Sequence, residues 1–207
     1  MKIDLTNIKN IIFDLGNVLL RLDFDATIKA FQQIGLHKNA FDPRQTYVDP
    51  VFHELEIGKI TPENFRARVR QILNNPDLTD QQIDDAWTAM ILDIPVNRVE
   101  MLQRLNETYN VYLFSNTNQI HISKLHADFK QQHGIDFPSL FVKDYYSHEI
   151  HERKPDLTSY EKVTELAGIK PHESIFIDDL EKNVVAANEA GLKTYWHNAA
   201  DEISEIL

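Results

Sequence analysis

Three short β-rich runs in this chain each stop on polar residues able to do chemistry. Ile11-Ile12-Phe13 ends on Asp14, Val111-Tyr112-Leu113-Phe114 on Ser115-Asn116, and Ile175-Phe176-Ile177 on Asp178-Asp179. Apolar runs of this length, bounded by polar residues and glycine, read as buried strands feeding loops. Helical spacing follows two of them: Ile122, Leu125 and Phe129 after the second, then Val184, Ala187 and Asn188 closed by Gly191 after the third. Strands alternating with helices require parallel pairing, so the expected fold is α/β with a doubly wound parallel sheet. Ligands of open α/β sheets bind beyond the carboxyl ends of the strands. The pattern that sets the fold class therefore also gathers the candidate site.

Between the first strand and the others the chain changes character. From Arg21 to Leu92 there is hardly a β-type run, and apolar residues fall at helical intervals. Thr61-Pro62-Glu63 offers an N-cap with proline at the first helical position, leading to Phe65, Val69, Ile72 and Leu73. Thr79-Asp80-Gln81-Gln82 fits a capping box ahead of Ile83, Ala86, Trp87, Met90 and Ile91. Residues 21–92 are thus expected to form a helical insertion, with 1–20 and 93–207 as a discontinuous core.

Composition narrows the function. The 207 residues hold 21 Lys and Arg against 32 Asp and Glu, a formal net charge of −11. That balance, with no basic cluster, argues against nucleic acid as a partner. No apolar run is long enough to span a membrane, and the N-terminal stretch lacks a secretory pattern. The absence of cysteine excludes a thiolate nucleophile, a disulfide scaffold and Cys-type zinc sites. A cytoplasmic globular protein is expected.

The strand ends, with Lys154 in the intervening Arg153-Lys154-Pro155 loop, combine carboxylates, a hydroxyl and an ammonium. Clustered carboxylates raise one another's pKa unless a cation sits among them. Magnesium prefers such oxygen ligands, held by one or two carboxylates plus substrate phosphate. A hydroxyl at a strand–helix junction, backed by helix N–H groups, suits an anion, and lysine adds a compact positive charge. The chemistry indicated is Mg²⁺ with the phosphate of a small phosphorylated metabolite.

Asp14-Leu15-Gly16-Asn17-Val18, Ser115-Asn116-Thr117, Lys154-Pro155 and Asp178-Asp179-Leu180-Glu181-Lys182-Asn183 together resemble, in order, the four motifs of the haloacid dehalogenase-like (HAD) hydrolase superfamily. The stretch Phe52-His53-Glu54-Leu55-Glu56-Ile57-Gly58-Lys59-Ile60-Thr61 and the Asp-Leu-Gly-Asn-Val opening are similar to its bacterial α-D-glucose-1-phosphate phosphatase branch. The resemblance implies a Rossmann-like core, an α-helical cap at the insertion, and a Mg²⁺-dependent phosphatase, with a sugar phosphate as one substrate class. It implies Asp14 as the nucleophile that forms an aspartyl-phosphate, and Ser115 with the backbone of Asn116 as phosphoryl-binding groups. Lys154 would neutralise charge, and Asp14, the Gly16 carbonyl, Asp179 and Asp178 would hold the metal, steadied by Asn183.

One position departs from the family pattern. Most family phosphatases carry a second aspartate two residues after the nucleophile as general acid and base, whereas this chain has Gly16. Asp23 and His53 are the nearest substitutes in sequence. A metal-independent 2-haloacid dehalogenase needs no such acid, because halide leaves unprotonated, and a non-catalytic phospholigand-binding protein also remains open. Paired carboxylates argue against the first, and retention of Asp14 and Lys154 against the second.

Other residues read more plainly. His53, His121, His126 and His148 lack convincing metal-ligand spacing and are expected to be packed or exposed. Trp87, Met90 and Ile91 fall at core spacing, while Phe24, Phe52 and Trp87 are candidates to line a substrate pocket. Asp42, Asp80, Asp84 and Asp85 read as solvated helix ends and faces.

Overall fold

The computed structural model describes residues 2–36 and 50–207; Asp42 lies outside them. Strands β1 (Asn10–Phe13), β2 (Asn110–Ser115), β3 (Lys143–Tyr146), β4 (Ser174–Asp178) and β5 (Lys193–Trp196) form one sheet in the order β3-β2-β1-β4-β5. Every pairing is parallel, as the doubly wound reading requires. Phe13 aligns with Leu113 on one side and Ile177 on the other, so β1, β2 and β4 end within about two residues of one another and deliver their terminal polar residues to one rim.

The period-two alternation of a strand sorts side chains to the two faces. Ile11, Phe13, Val111, Leu113, Ile175 and Ile177 join one core with residues of α5 (Val96–Leu105) and α6 (Gln119–His133). Ile12, Tyr112, Phe114 and Phe176 face the opposite way onto Tyr160 and Val163 of the helix Leu157–Ala167 and Ala186 and Ala187 of the helix Glu181–Glu189. Strands covered on both faces read as continuous apolar runs, which is why these three were visible in the sequence. The edge strands β3 and β5 begin on exposed lysines and carry no such run, and sequence reading passed over both.

Helices α1 (Phe24–Gln33), α2 (Pro50–Glu56), α3 (Pro62–Ile72) and α4 (Asp80–Thr88) lie between β1 and β2. Thr61 caps α3 with Pro62 in its first turn, and Thr79 and Gln82 form the full capping box of α4. These helices share their own core of Phe31, Val51, Phe52, Phe65, Val69, Ile83 and Trp87, into which Ile120 of α6 also packs. Asp84 is less solvated than its sequence context suggests, since it accepts from Nε and Nη2 of Arg66 at 2.8 and 2.7 Å. Two adjacent chain segments join this unit to the sheet: Arg21 N donates to Asp93 O, Leu92 N to Arg21 O and Asp23 N to Met90 O. On the far side Gly58 has φ +67, and a Cβ there would lie 2.1 Å from the His148 carbonyl. Only glycine permits that approach.

Candidate active site

At the rim where β1, β2 and β4 end, Lys154 is 1% exposed and its Nζ makes three hydrogen bonds. It donates to Asp14 Oδ1 at 2.6 Å, Asp178 Oδ2 at 2.8 Å and the Phe114 carbonyl at 3.0 Å. The amine reaches this point because the Asn116 side chain clamps its backbone. Asn116 Nδ2 donates to Lys154 O at 2.8 Å, and Asn116 Oδ1 accepts from Lys154 N at 2.9 Å. The structure thus brings Asp14, Ser115, Asn116, Lys154, Asp178 and Asp179 together. Oxygens of Asp14, Asp178 and Asp179 all lie within 4.8 Å of one another.

The two neighbouring aspartates sit in different surroundings. Asp178 is fully buried, and both of its oxygens accept from protein donors: Leu180 N and Asn183 Nδ2 on Oδ1, Lys154 Nζ and Asn183 Nδ2 on Oδ2. Asp179 borders the cavity, and its Oδ2 accepts from Asn17 Nδ2 at 3.0 Å. Asn17, which the sequence shows only as part of a motif, has φ +56, a left-handed conformation that asparagine tolerates well. Exposed Trp196 donates its indole N–H to Asp179 O at 2.9 Å.

Burial dominates the electrostatics. It pushes the Asp14 carboxyl up to about 7, reinforced by Asp178 and Asp179 and opposed by Lys154. Burial alone would favour the neutral amine of Lys154, but Asp14 and Asp178 outweigh it and hold its pKa above the ordinary value. Asp179 is also raised by burial, against the hydrogen bond from Asn17. An oxygen-rich, anionic pocket of this kind matches the ligand preference of a hard divalent cation. Asp14, Asp179 and Asp178 are the residues that could hold one.

A cavity of about 460 Å³ opens over these groups. The sheet domain contributes Gly16, Ser115, Asn118, His121 and Arg153, and the inserted helices contribute Glu56, Phe24, Trp87 and Met90. Ser115 is buried at the strand end and does not cap α6, a role taken by Asn118, whose Oδ1 accepts from Ile120 N and His121 N. Of the aromatic pocket candidates, Phe24 and Trp87 line the cavity. Phe52 does not, because it packs between Phe65 and Trp87 in the helical core at ring distances of 5.6 and 5.2 Å. Neither proposed substitute for the missing acid reaches the cavity: Asp23 caps α1, accepting from Asp25 N and Ala26 N, and His53 sits on α2 away from the lining. His126 meets the Tyr146 hydroxyl and His148 stacks on Tyr146.

Comparison with known proteins shows the family to which this fold belongs. The D-ribitol-5-phosphate phosphatase of Bacteroides thetaiotaomicron is 28% identical over 200 residues, covering 96% of this chain and 97% of that protein. A HAD family enzyme of the same organism, solved as a complex with magnesium and inorganic phosphate, matches with a TM-score of 0.90 and 37% identity, covering 97% and 99% of the two chains. A HAD-like family hydrolase of Porphyromonas gingivalis matches with a TM-score of 0.84 and 30% identity over 94% and 93%. The model of the haloacid dehalogenase-like hydrolase family spans residues 8–191, and the chain belongs to that family.

Proposed function

We propose that this protein is a Mg²⁺-dependent phosphatase of a small phosphorylated metabolite, a sugar or polyol phosphate, working through an aspartyl-phosphate on Asp14. One observation carries the reading: three carboxylates bring oxygens within 4.8 Å of one another, and a single ammonium bonds two of them. Fully ionised, that cluster has two uncompensated negative charges, the charge of one divalent cation. The solved relative that holds magnesium and phosphate supports the same choice.

Asp14, the Gly16 carbonyl and Asp179 would hold the metal. Asp178, whose oxygens already accept from four donor contacts, orients Lys154 and Asn183 beside it. When bound, magnesium supplies positive charge to the phosphoryl oxygens and favours ionised Asp14. Ser115 and the Asn116 backbone receive the phosphoryl group, and Lys154 neutralises charge on it and on Asp14. An Asp14 oxygen attacks phosphorus, an O–P bond forms on Asp14, and the ester P–O bond breaks to release an alkoxide that takes its proton from solvent. Water then attacks phosphorus, returning the Asp14 carboxylate and inorganic phosphate. Splitting the displacement replaces one difficult step with two easier ones, and positioning with charge neutralisation provides most of the catalysis. Residues 21–92 act as the cap that closes the cavity and selects the alcohol.

The test is phosphate release from a panel of phosphorylated metabolites with Mg²⁺ and with EDTA, alongside halide release from 2-haloacids. The expected result is phosphate release that EDTA abolishes and that Asp14→Asn lacks despite an unchanged circular dichroism spectrum. Halide release resistant to EDTA would establish the dehalogenase instead. Phosphate binding without turnover of any activated ester would establish a sensor.

A further inference from the structure

His121 occupies the first turn of α6, in the cavity wall beside the strand-end residues. Its Nε2 lies 3.0 Å from the main-chain carbonyl of Trp87 on α4, and its ring stacks on the Trp87 indole with centroids 4.7 Å apart and planes at 26°. A carbonyl can only accept, so Nε2 carries the proton and Nδ1 presents a lone pair. No protein donor occupies that Nδ1 among the described residues. The inserted helices thus fix both the orientation and the tautomer of a core histidine.

We propose that His121 is a specificity-determining residue whose Nδ1 accepts a hydrogen bond from a further hydroxyl of the leaving alcohol. This rests on the phosphatase reading and names what the cavity selects: phosphate monoesters of polyhydroxylated alcohols. Desolvation pushes the His121 pKa down to about 4, with the Trp87 carbonyl opposing. The ring is therefore neutral at neutral pH and offers an acceptor, which suits a hydroxyl and not a second anion.

The surrounding wall fits the same chemistry. Leu22, Phe24, Met90 and Ile91 present apolar surface, against which the C–H face of a polyol can pack. Glu56, braced by Arg153 at 2.9 Å, adds a carboxylate acceptor at the cap side of the cavity. An aryl or simple alkyl group would use the apolar wall and leave Nδ1 without its donor, which costs binding in a desolvated site. Because Nε2–H is held by Trp87, His121 cannot also replace the acid missing at Gly16.

The experiment measures kcat/KM for ribitol, glycerol and sugar phosphates, for their deoxy analogues, and for phenyl phosphate. The enzymes compared are wild type, His121→Phe and His121→Gln. Removing the recognised hydroxyl from the substrate should cost wild type roughly ten-fold, the scale of one hydrogen bond. His121→Phe should lower the polyol-to-phenyl ratio by a similar factor, chiefly through KM. His121→Gln, whose amide can donate to Trp87 O while its oxygen accepts, should restore most of the ratio. A flat wild-type response to every deoxy analogue overturns the proposal even if His121→Phe fails to fold. So does a His121→Phe defect shared equally by phenyl phosphate and the polyol esters, which would mark His121 as only a brace between cap and core. If wild type hydrolyses no phosphate ester, the phosphatase reading itself has failed.

Discussion

The indole Nε1 of Trp196, at the end of edge strand β5, donates to the carbonyl of Asp179 at 2.9 Å although the residue is 58% exposed. An exposed tryptophan thereby fixes the backbone of a carboxylate proposed to hold the metal. Trp196→Phe retains the ring and deletes the donor. A net hydrogen bond is about 0.5–1.5 kcal/mol, so Mg²⁺ binding should weaken roughly two- to ten-fold. Titration calorimetry of the phosphate-free protein reads this directly, and an unchanged affinity would show that Asp179 is positioned without Trp196.

Removing the ammonium should destabilise the rim strongly. Lys154→Met leaves Asp14 and Asp178 buried without their counter-charge, a change that typically costs about 3–5 kcal/mol. Urea unfolding in EDTA should show a loss of that size, with Mg²⁺ recovering part of it. A loss under about 1 kcal/mol, the scale of an exposed ion pair, would mean the carboxylates share protons instead of depending on Lys154.

Proton and metal should compete at Asp14. Its carboxyl is raised from 3.8 to about 7, so the metal-free native state holds a proton that the unfolded chain has already lost. That contribution to stability is complete below the unfolded value and disappears as pH rises through about 7. Mg²⁺ must displace the proton, so its affinity should fall below about pH 7 and level off above it. Calorimetry in buffers of different ionisation enthalpy should register proton release near pH 6 and little near pH 8. Equal release at both would contradict the raised pKa of Asp14.

Gly16 should make the wild-type enzyme sensitive to its leaving group. A positioned general acid typically contributes ~10²–10⁴-fold, and the cavity supplies neither Asp23 nor His53 in its place. Nitrophenyl phosphate should therefore far outpace alkyl phosphates of similar size. Gly16 lies outside the left-handed φ range, and a Cβ there would meet Leu22 Cδ1 at 2.9 Å, the end of a flexible side chain. Gly16→Asp should consequently fold and flatten the dependence of kcat/KM on leaving-group pKa. A flat wild-type profile would show that another group already donates the proton.

Asp14, Ser115 and Asp178-Asp179 were legible in the sequence because each closes an apolar run buried on both faces, and parallel register alone carries such ends to one rim. The capped helices α3 and α4 were legible for a similarly local reason, since Thr61, Thr79 and Gln82 satisfy the first-turn N–H groups of their own helices. Edge strands β3 and β5 were not, because β3 opens on Lys143-Asp144 and β5 is only partly covered, so neither carries a continuous apolar signature. The finer anatomy of the site was equally hidden. Adjacent aspartates look alike in sequence, yet packing sends Asp178 to Lys154 and Asn183 and leaves Asp179 at the cavity with Asn17 and Trp196. The Asn116 clamp on Lys154, the Arg153–Glu56 bridge and the His121–Trp87 contact join residues far apart in the chain. Local propensity and periodicity determined the elements and their polar ends. Partners brought together only by closing long loops, and the burial that shifts their protons, were decided by the tertiary structure.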